Sequence, residues 1–164
     1  MTMIKAILAC DDYGGVSRKG TLPWPDNSKD LNWFKDNTQG HIVVMGSTTW
    51  NDPHMPRPMP NRTNYLVTSK PQKYPGAHGY IQGDINSAIR ALAMDNPDVI
   101  TWIIGGPQII EQTLDIIDEF YISRIPGAYK CDTFLPLAQI EQQFNLAWKE
   151  SHNTVEFEIW KPNE

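Results

Sequence analysis

Short apolar runs alternate with turn-rich segments along this chain, and their spacing predicts the elements. Ile4 to Cys10 is apolar apart from Lys5, and Asp11-Asp12-Tyr13-Gly14-Gly15 ends it. A short continuous run of this kind suits a strand buried on both faces, the habit of parallel or mixed α/β sheets. The same signature recurs at 41–46, 64–69, 99–104 and 119–125, with a shorter piece at Tyr80-Ile81. Phe144 to Trp148 and Val155 to Trp160 instead alternate, which predicts an antiparallel pair near the sheet edge. Helical spacing predicts a helix at about 28–38. A second, at about 86–95, is capped by Asp84 or Asn86 and has Ile85, Ile89, Leu92 and Ala93 on one face. A third opens at Pro107, where a first helical position tolerates proline. Ser47-Thr48-Thr49-Trp50 begins a short helical piece. Pro53, Pro56, Pro58 and Pro60 then forbid regular structure across 52–61.

The helix at 28–38 carries an unusual residue. At about 100° per residue from Asp30, Phe34 falls near ~40°, Thr38 near ~80°, Leu31 near ~100° and Trp33 near about −60°. Lys29, Asn32, Lys35 and Asp36 take the other side. Asp30 admits two readings. With Asn27 or Ser28 as N-cap, it is a first-turn acid favoured by the helix dipole. Alternatively, it is a carboxylate set among apolar side chains for chemical use.

Several loops hold candidate ligand groups. Gly14 to Thr21 is a long glycine-rich loop before Leu22-Pro23-Trp24, and no Gly-Lys-Ser/Thr closes it as a Walker loop. Gly46 before Ser47-Thr48-Thr49 presents N–H and hydroxyl donors suited to anions. Gly105-Gly106, between a buried strand and a helix, lets a ligand approach bare backbone. Arg57 and Arg62 either clamp a carboxylate or are solvated surface arginines. Thr68, Ser69 and Lys70 either hold a phosphate or end a strand.

Composition narrows the class. The chain has 164 residues, 40% of them hydrophobic, 20% charged and 13 of them proline. One domain, 1–164, is expected. A net charge of −5 with no basic cluster argues against a nucleic-acid partner. No apolar run approaches membrane-spanning length and Met1-Thr2-Met3-Ile4-Lys5 opens no leader pattern, so the cytosol is expected. Cys10 and Cys131 match no metal or redox spacing, and His41, His54, His78 and His152 are scattered, so no metal is expected.

Taken together and in order, these segments resemble dihydrofolate reductases along nearly the whole chain. The resemblance rests on Leu22-Pro23-Trp24, Asp30 with Phe34, Val44-Met45-Gly46 with Thr49-Trp50, Arg57-Pro58-Met59-Pro60-Asn61-Arg62, Ile104-Gly105-Gly106 and Asp132-Thr133. It implies an α/β fold with a central mixed, mostly parallel twisted sheet of about eight strands flanked by four helices. It also implies NADPH-dependent reduction of 7,8-dihydrofolate to tetrahydrofolate, antifolate-type ligands and a monomer.

Residue by residue, the resemblance makes Asp30 the active-site acid, with Ser123 linking it to the pterin. Trp24 would hold an ordered water, and the Leu22 loop would gate it. Ile7, Leu8, Ala9, Leu31, Phe34, Met59 and Ile104 would surround the substrate. Arg62 would pair with its glutamate α-carboxylate, and Arg57 would be a peripheral companion. Ala9, Val16, Ser17, Gly20, Thr21, Ile104, Gly105 and Gly106 would surround the nicotinamide and its ribose. Gly46, Ser47, Thr48, Thr49, Pro107, Gln108 and Ile109 would take the pyrophosphate. Thr68, Ser69 and Lys70 would meet the adenosine end.

Four departures from the family pattern stand out: Ser47 and Gln108 where basic residues are usual, Ile110 for an aromatic near the nicotinamide, and Ser17 for a loop glycine. They imply a weaker phosphate grip, with NADH admitted beside NADPH, and a stiffer loop. The alternatives are another pterin or pyrimidine reductase on this fold, including the similarly folded reductase domain of riboflavin biosynthesis, or a binding protein that keeps the fold in a second role.

Overall fold

The structure, a computed structural model, describes residues 3–164. Its centre is an eight-stranded sheet. β1 (Met3–Cys10) lies between β6 (Ile100–Gly105) and β7 (Glu119–Arg124), both parallel to it. β3 (Ile42–Gly46), β4 (Thr63–Val67) and β5 (Gly79–Ile81) continue outward from β6, all parallel. On the other side, β10 (Glu156–Pro162) pairs antiparallel with β7, and β9 (Phe144–Ser151) forms the edge. The predicted terminal hairpin therefore sits at the edge of a mixed, mostly parallel sheet.

Strand alternation divides the buried side chains between two faces. Ala6, Val44, Ile103 and Ile122 join Ile89, Ile110 and Phe120 in one cluster. Ile7, Val43, Met45, Trp102 and Ile104 join Trp50 and Leu66 in another. Both faces need cover, which is why these strands read as continuous apolar runs.

The helices are α1 (Ser28–Thr38), α2 (Ser47–Trp50), α3 (Ile85–Asp95), α4 (Pro107–Thr113) and α5 (Leu137–Gln143). The resemblance implies four. Among the described residues there are five α-helical segments, of which α2 is a single turn and α5 carries no legible sequence signal. A small second sheet is also new: β2 (Gly15–Ser17) pairs antiparallel with β8 (Thr133–Phe134). It lies within the stretch read as a glycine-rich loop.

Asn27 fixes the start of α1. Its side-chain oxygen accepts the Asp30 N–H at 3.1 Å, and its amide donates to the Thr154 carbonyl at 2.8 Å. Trp33 anchors the other flank by stacking on Phe157, with ring centroids 4.2 Å apart. With Trp33 turned to the β9–β10 hairpin, Asp30 and Phe34 face the opposite way, toward the ends of the parallel strands.

Candidate active site

Five parallel strands end in one cleft of about 1180 Å³. Ala9 of β1, Gly46 of β3, Val67 of β4, Ile104 of β6 and Ser123 of β7 all lie in its wall. Parallel strands present their carboxyl ends and the following helix starts together, so ligand sites of α/β sheets gather there.

Asp30 lies in this wall and is 8% exposed. Burial raises its pKa above the ordinary carboxyl value, and the Ser123 hydroxyl beside it draws it part of the way back. No Lys, Arg or His pairs with it among the described residues. A first-turn acid with only a helix-dipole role would sit in water. This one is held out of water, next to a hydroxyl.

Helix α1 supplies three parts of the wall's support at one-turn intervals. Asp30 brings the carboxylate and Phe34 an apolar ring. Buried Thr38 donates to the Phe34 carbonyl at 2.8 Å and accepts Arg62 Nη1 at 3.2 Å. Arg62 Nε donates to the Pro60 carbonyl at 3.0 Å, so the guanidinium is braced from two sides. Burial lowers its pKa below the ordinary guanidinium value. The loop itself is stitched by buried Asn64, which accepts the Met59 N–H at 2.9 Å and donates to the Met59 and Arg62 carbonyls, each at 3.0 Å.

Leu22, Leu31 and Phe134 lie in the cleft wall with about half of their surface exposed. Large apolar side chains left open at a cleft mouth are surface that a ligand can cover. Trp24 is buried, edge-on to Tyr129 at 5.9 Å between centroids, with its neighbours Leu22 and Pro25 also in the wall.

The other end of the cleft is built from small residues. Gly46, Ser47, Thr48 and Thr49 come from the β3–α2 turn, and Gly106, Pro107, Gln108 and Ile109 from the β6–α4 turn. Gly106 has φ −77°, which any residue adopts, and a Cβ there would meet no protein atom within 4 Å. Such a Cβ would project into space the protein leaves free beside the wall, so a bound group can reach bare backbone. Hydroxyls and uncovered backbone at two helix starts fit a pyrophosphate.

Val16, Ser17, Gly20 and Thr21 close the third side. Their loop is tied down at two points. The Ser17 and Thr133 hydroxyls bond to each other, and the Lys19 N–H donates to Asp132 Oδ2 at 2.8 Å. Across the cleft, Thr21 Oγ1 meets Asp52 Oδ1 at 3.1 Å and His54 Nδ1 at 3.0 Å. Ser17, which stands where the family's loop glycine is usual, thus makes a hydroxyl bridge to β8.

Most residues singled out from the sequence converge here: Ile7, Leu8, Ala9, Leu22, Trp24, Asp30, Leu31, Phe34, Met59, Arg62, Ile104 and Ser123, together with the three small-residue segments above. Several do not. Arg57 is outside the wall and donates Nη1 to the Trp50 carbonyl at 3.1 Å. Thr68, Ser69 and Lys70 lie beyond Val67, where Thr68 Oγ1 accepts the Lys70 N–H at 3.0 Å, an end-of-strand turn. Gly105 lies behind the wall, with Leu8 and Thr49 within 4 Å of a Cβ placed on it. Ile110 is wholly buried in the core beneath the cleft, not beside its opening. Lys35, assigned to the far side of α1, reaches the wall. Asp52, His54, Glu111 and Phe134 were not anticipated. Only the Asp132-Thr133 pair gave a sequence hint of what ties the loop.

Comparison with known proteins agrees with this geometry. The family model described as dihydrofolate reductase matches residues 3–160. The type 8 dihydrofolate reductase of Escherichia coli is 26% identical over 168 aligned positions, covering 100% of this chain and 98% of that protein. The viral dihydrofolate reductase of Saimiriine herpesvirus 2 is 28% identical, covering 82% of this chain and 68% of that protein. In fold, the chain is similar to an Enterococcus faecalis dihydrofolate reductase solved with NADP(H) and RAB-propyl. That match has a TM-score of 0.79 at 23% identity, over 99% of this chain and 97% of the other. A family model covering nearly all of the chain, over a cleft with one buried acid, makes this chain a member of the dihydrofolate reductase family.

Proposed function

We propose a division of labour in this cleft for the family's reaction, NADPH-dependent reduction of 7,8-dihydrofolate to tetrahydrofolate. The observation that carries it is Asp30, a buried carboxyl in a largely apolar wall, beside Ser123 and without a cationic partner among the described residues. Such a group suits a flat heterocycle with an amidine-like edge, which it binds by two charge-assisted hydrogen bonds. Ser123 holds the carboxyl's orientation. Ile7, Phe34 and Leu31 give the ring apolar faces, and Arg62, braced by Thr38 and Pro60, takes the glutamate carboxylate.

The nicotinamide cofactor supplies a hydride when bound. Ser47, Thr48, Thr49 and the backbone at Gly106 would hold its phosphates. The chain's own residues must then bring a proton to the pterin nitrogen and keep bulk water out. Asp30 grips the far edge of the ring and polarises it. The loop bearing Leu22 and Trp24 admits the single water that delivers the proton. Alignment supplies the rest.

One sheet drawing strands from residues 3 to 162 supports a single domain over 1–164. A cytosolic setting is supported by the two free thiols. No helix among the described residues is long and apolar enough to cross a membrane.

The test is oxidation of reduced nicotinamide with dihydrofolate, a pterin without the glutamate and a pyrimidine substrate side by side. Dihydrofolate turning over fastest, with an antifolate abolishing it, is the expected result. Faster turnover of the pyrimidine would overturn the reading.

A further inference from the structure

Trp24 stands in the cleft wall, yet its own stretch of chain does little to hold it. Pro23 and Pro25 flank it and have no N–H to give. Among the described residues, no backbone–backbone hydrogen bond reaches residues 22–26. The indole is nevertheless buried, so packing fixes it. It belongs to a small cluster with Ile125, Val155 and Phe157. Among the described residues, Tyr129 carries the one aromatic ring paired with it, at 5.9 Å between centroids and 69° between planes.

Tyr129, by contrast, is tied at both ends. Its hydroxyl donates to the Pro126 carbonyl at 3.2 Å, which folds the ring back over Gly127. Gly127 has φ +111°, and a Cβ there would stand 3.2 Å from the ring. The Tyr129 N–H donates to Asp11 Oδ2 at 3.1 Å. Asp11 is buried and follows β1 directly, two residues after Ala9 of the cleft wall. Its Oδ1 accepts the N–H groups of Tyr13 and Gly15, each at 2.9 Å, and Cys131 Sγ donates to Oδ2 at 3.5 Å. Burial alone would raise the Asp11 pKa, and these bonds hold it below the ordinary carboxyl value. Burial, with Asp11 beside it, pushes the Cys131 thiol up to about 11. A braced path thus runs from the end of the central strand through Asp11 and the Tyr129 main chain to the ring against Trp24.

We propose that Tyr129, held by Asp11, is a positioning residue for the proton step of the reaction. The inference rests on the reading of the Trp24 loop as the element that admits the single water. That water must stand within hydrogen-bond reach of the pterin nitrogen, so a shift of the indole beside it changes the rate of protonation. The Tyr129 ring sets where the indole stops, because no backbone bond of the 22–26 stretch does. An edge-on aromatic contact fixes angle as well as depth, which aliphatic packing does not. Tyr129 is not part of the cleft wall, so it acts through Trp24 alone.

The experiment follows a single turnover of NADPH oxidation with dihydrofolate by stopped flow, across pH, in the wild type, Tyr129→Leu and Tyr129→Phe. Tyr129→Leu keeps bulk without the ring. It should slow the step about five- to twentyfold at pH 7, a small part of what a positioned proton donor contributes, and less than about twofold in acid, where the substrate is already protonated. Tyr129→Phe keeps the ring and should stay within about twofold of wild type throughout. KM for NADPH should not move. Asp11 stays ionised and Cys131 protonated over this range, so neither adds a pH step of its own. Should Tyr129→Leu fail to fold, Gly127→Ala, whose Cβ would push the ring, decides in its place with the same pH-dependent deficit expected. A deficit of equal size at every pH, or a wild-type rate at pH 7, would overturn the positioning role while leaving dihydrofolate reduction standing. No turnover of dihydrofolate by the wild type would overturn the reaction itself, and the positioning role with it.

Discussion

The two halves of the cleft hold their ligands by different means. The substrate half uses ionisable groups fixed in place: Asp30 out of water beside Ser123, and Arg62 braced by Pro60 and Thr38. The cofactor half uses small, neutral residues and uncovered backbone. No Lys or Arg lies among its wall residues at the β3–α2 and β6–α4 turns, and Glu111 adds a negative charge. A charge built into an apolar wall must be held by specific partners, whereas backbone and hydroxyl donors are adaptable and tolerate substitution. Single substitutions should therefore cost far more in the first half than in the second.

The sharpest test of that contrast is Asp30→Asn. Loss of the charge should lower kcat for dihydrofolate at pH 7 by about 100- to 1000-fold, with partial recovery in acid, where the substrate is already protonated. Steady-state rates across pH would show it. Stability should move the other way. Burial holds the Asp30 pKa in the folded chain above its unfolded value. The folded state therefore binds the proton more readily, and ionised Asp30 costs stability once pH rises through its folded pKa. The Asn variant should melt higher than wild type at pH 7, and the gap should close as pH falls toward the carboxyl range. A variant that is slower and also less stable at neutral pH would show that Asp30 is structural.

Arg62→Ala comes next. It removes a charge-assisted pair and should raise KM for dihydrofolate by about 10- to 100-fold with kcat little changed. A pterin lacking the glutamate should be unaffected. Arg57→Ala is the control, since its guanidinium is engaged with the Trp50 carbonyl. Its effect should be on loop stability rather than on carboxylate affinity.

That pair of arginines shows where sequence reasoning runs out. Spacing treats Arg57 and Arg62 alike, and only the path of the loop, stitched by Asn64, decides which one faces the cleft. The strands were legible because burial on both faces leaves an unbroken apolar run, and α1 because its cap and apolar face are local. β2 and α5 are different. β2 is three residues long and exists through pairing with β8, more than 110 positions away. α5 has seven residues with Ile140 its only buried one, too little for a period to show. Of the site, Asp30, Phe34 and Thr38 share a helix face and could be read together. Lys35 could not, because its long side chain reaches where its Cα does not point. Ile110 was misplaced for the complementary reason, since the first turn of α4 directs Ile109 to the cleft and Ile110 to the core.

The cofactor half is best probed by adding charge rather than removing it. Ser47→Arg or Gln108→Arg would introduce a cation at a wall that holds none. Either should lower KM for NADPH by about two- to fivefold, the scale of a partly exposed ion pair, and lower KM for NADH less. The ratio of the two Michaelis constants, measured at two salt concentrations, is the readout. An equal gain for both cofactors would place the new charge at the pyrophosphate shared by both, not at the phosphate that distinguishes them.

The smallest effect belongs to the bridge across the cleft, and hydrogen counting predicts its character. Asp52 in its ionised form only accepts, so the single hydroxyl hydrogen of Thr21 goes to Asp52 Oδ1. The Thr21 oxygen can then serve His54 only as an acceptor, so His54 Nδ1 must carry a proton. Thr21→Val keeps the shape and removes both contacts. Since His54 is 79% exposed, each bond is worth little in water, and cofactor release should quicken by only about two- to threefold. A stopped-flow chase of bound nicotinamide nucleotide measures it. His54→Ala, which spares the Thr21–Asp52 bond, should recover about half of that change relative to Thr21→Val. If both variants release cofactor at the wild-type rate, the loop is held by Ser17, Thr133 and Asp132 alone, and the far lip of the cleft plays no part in closing it.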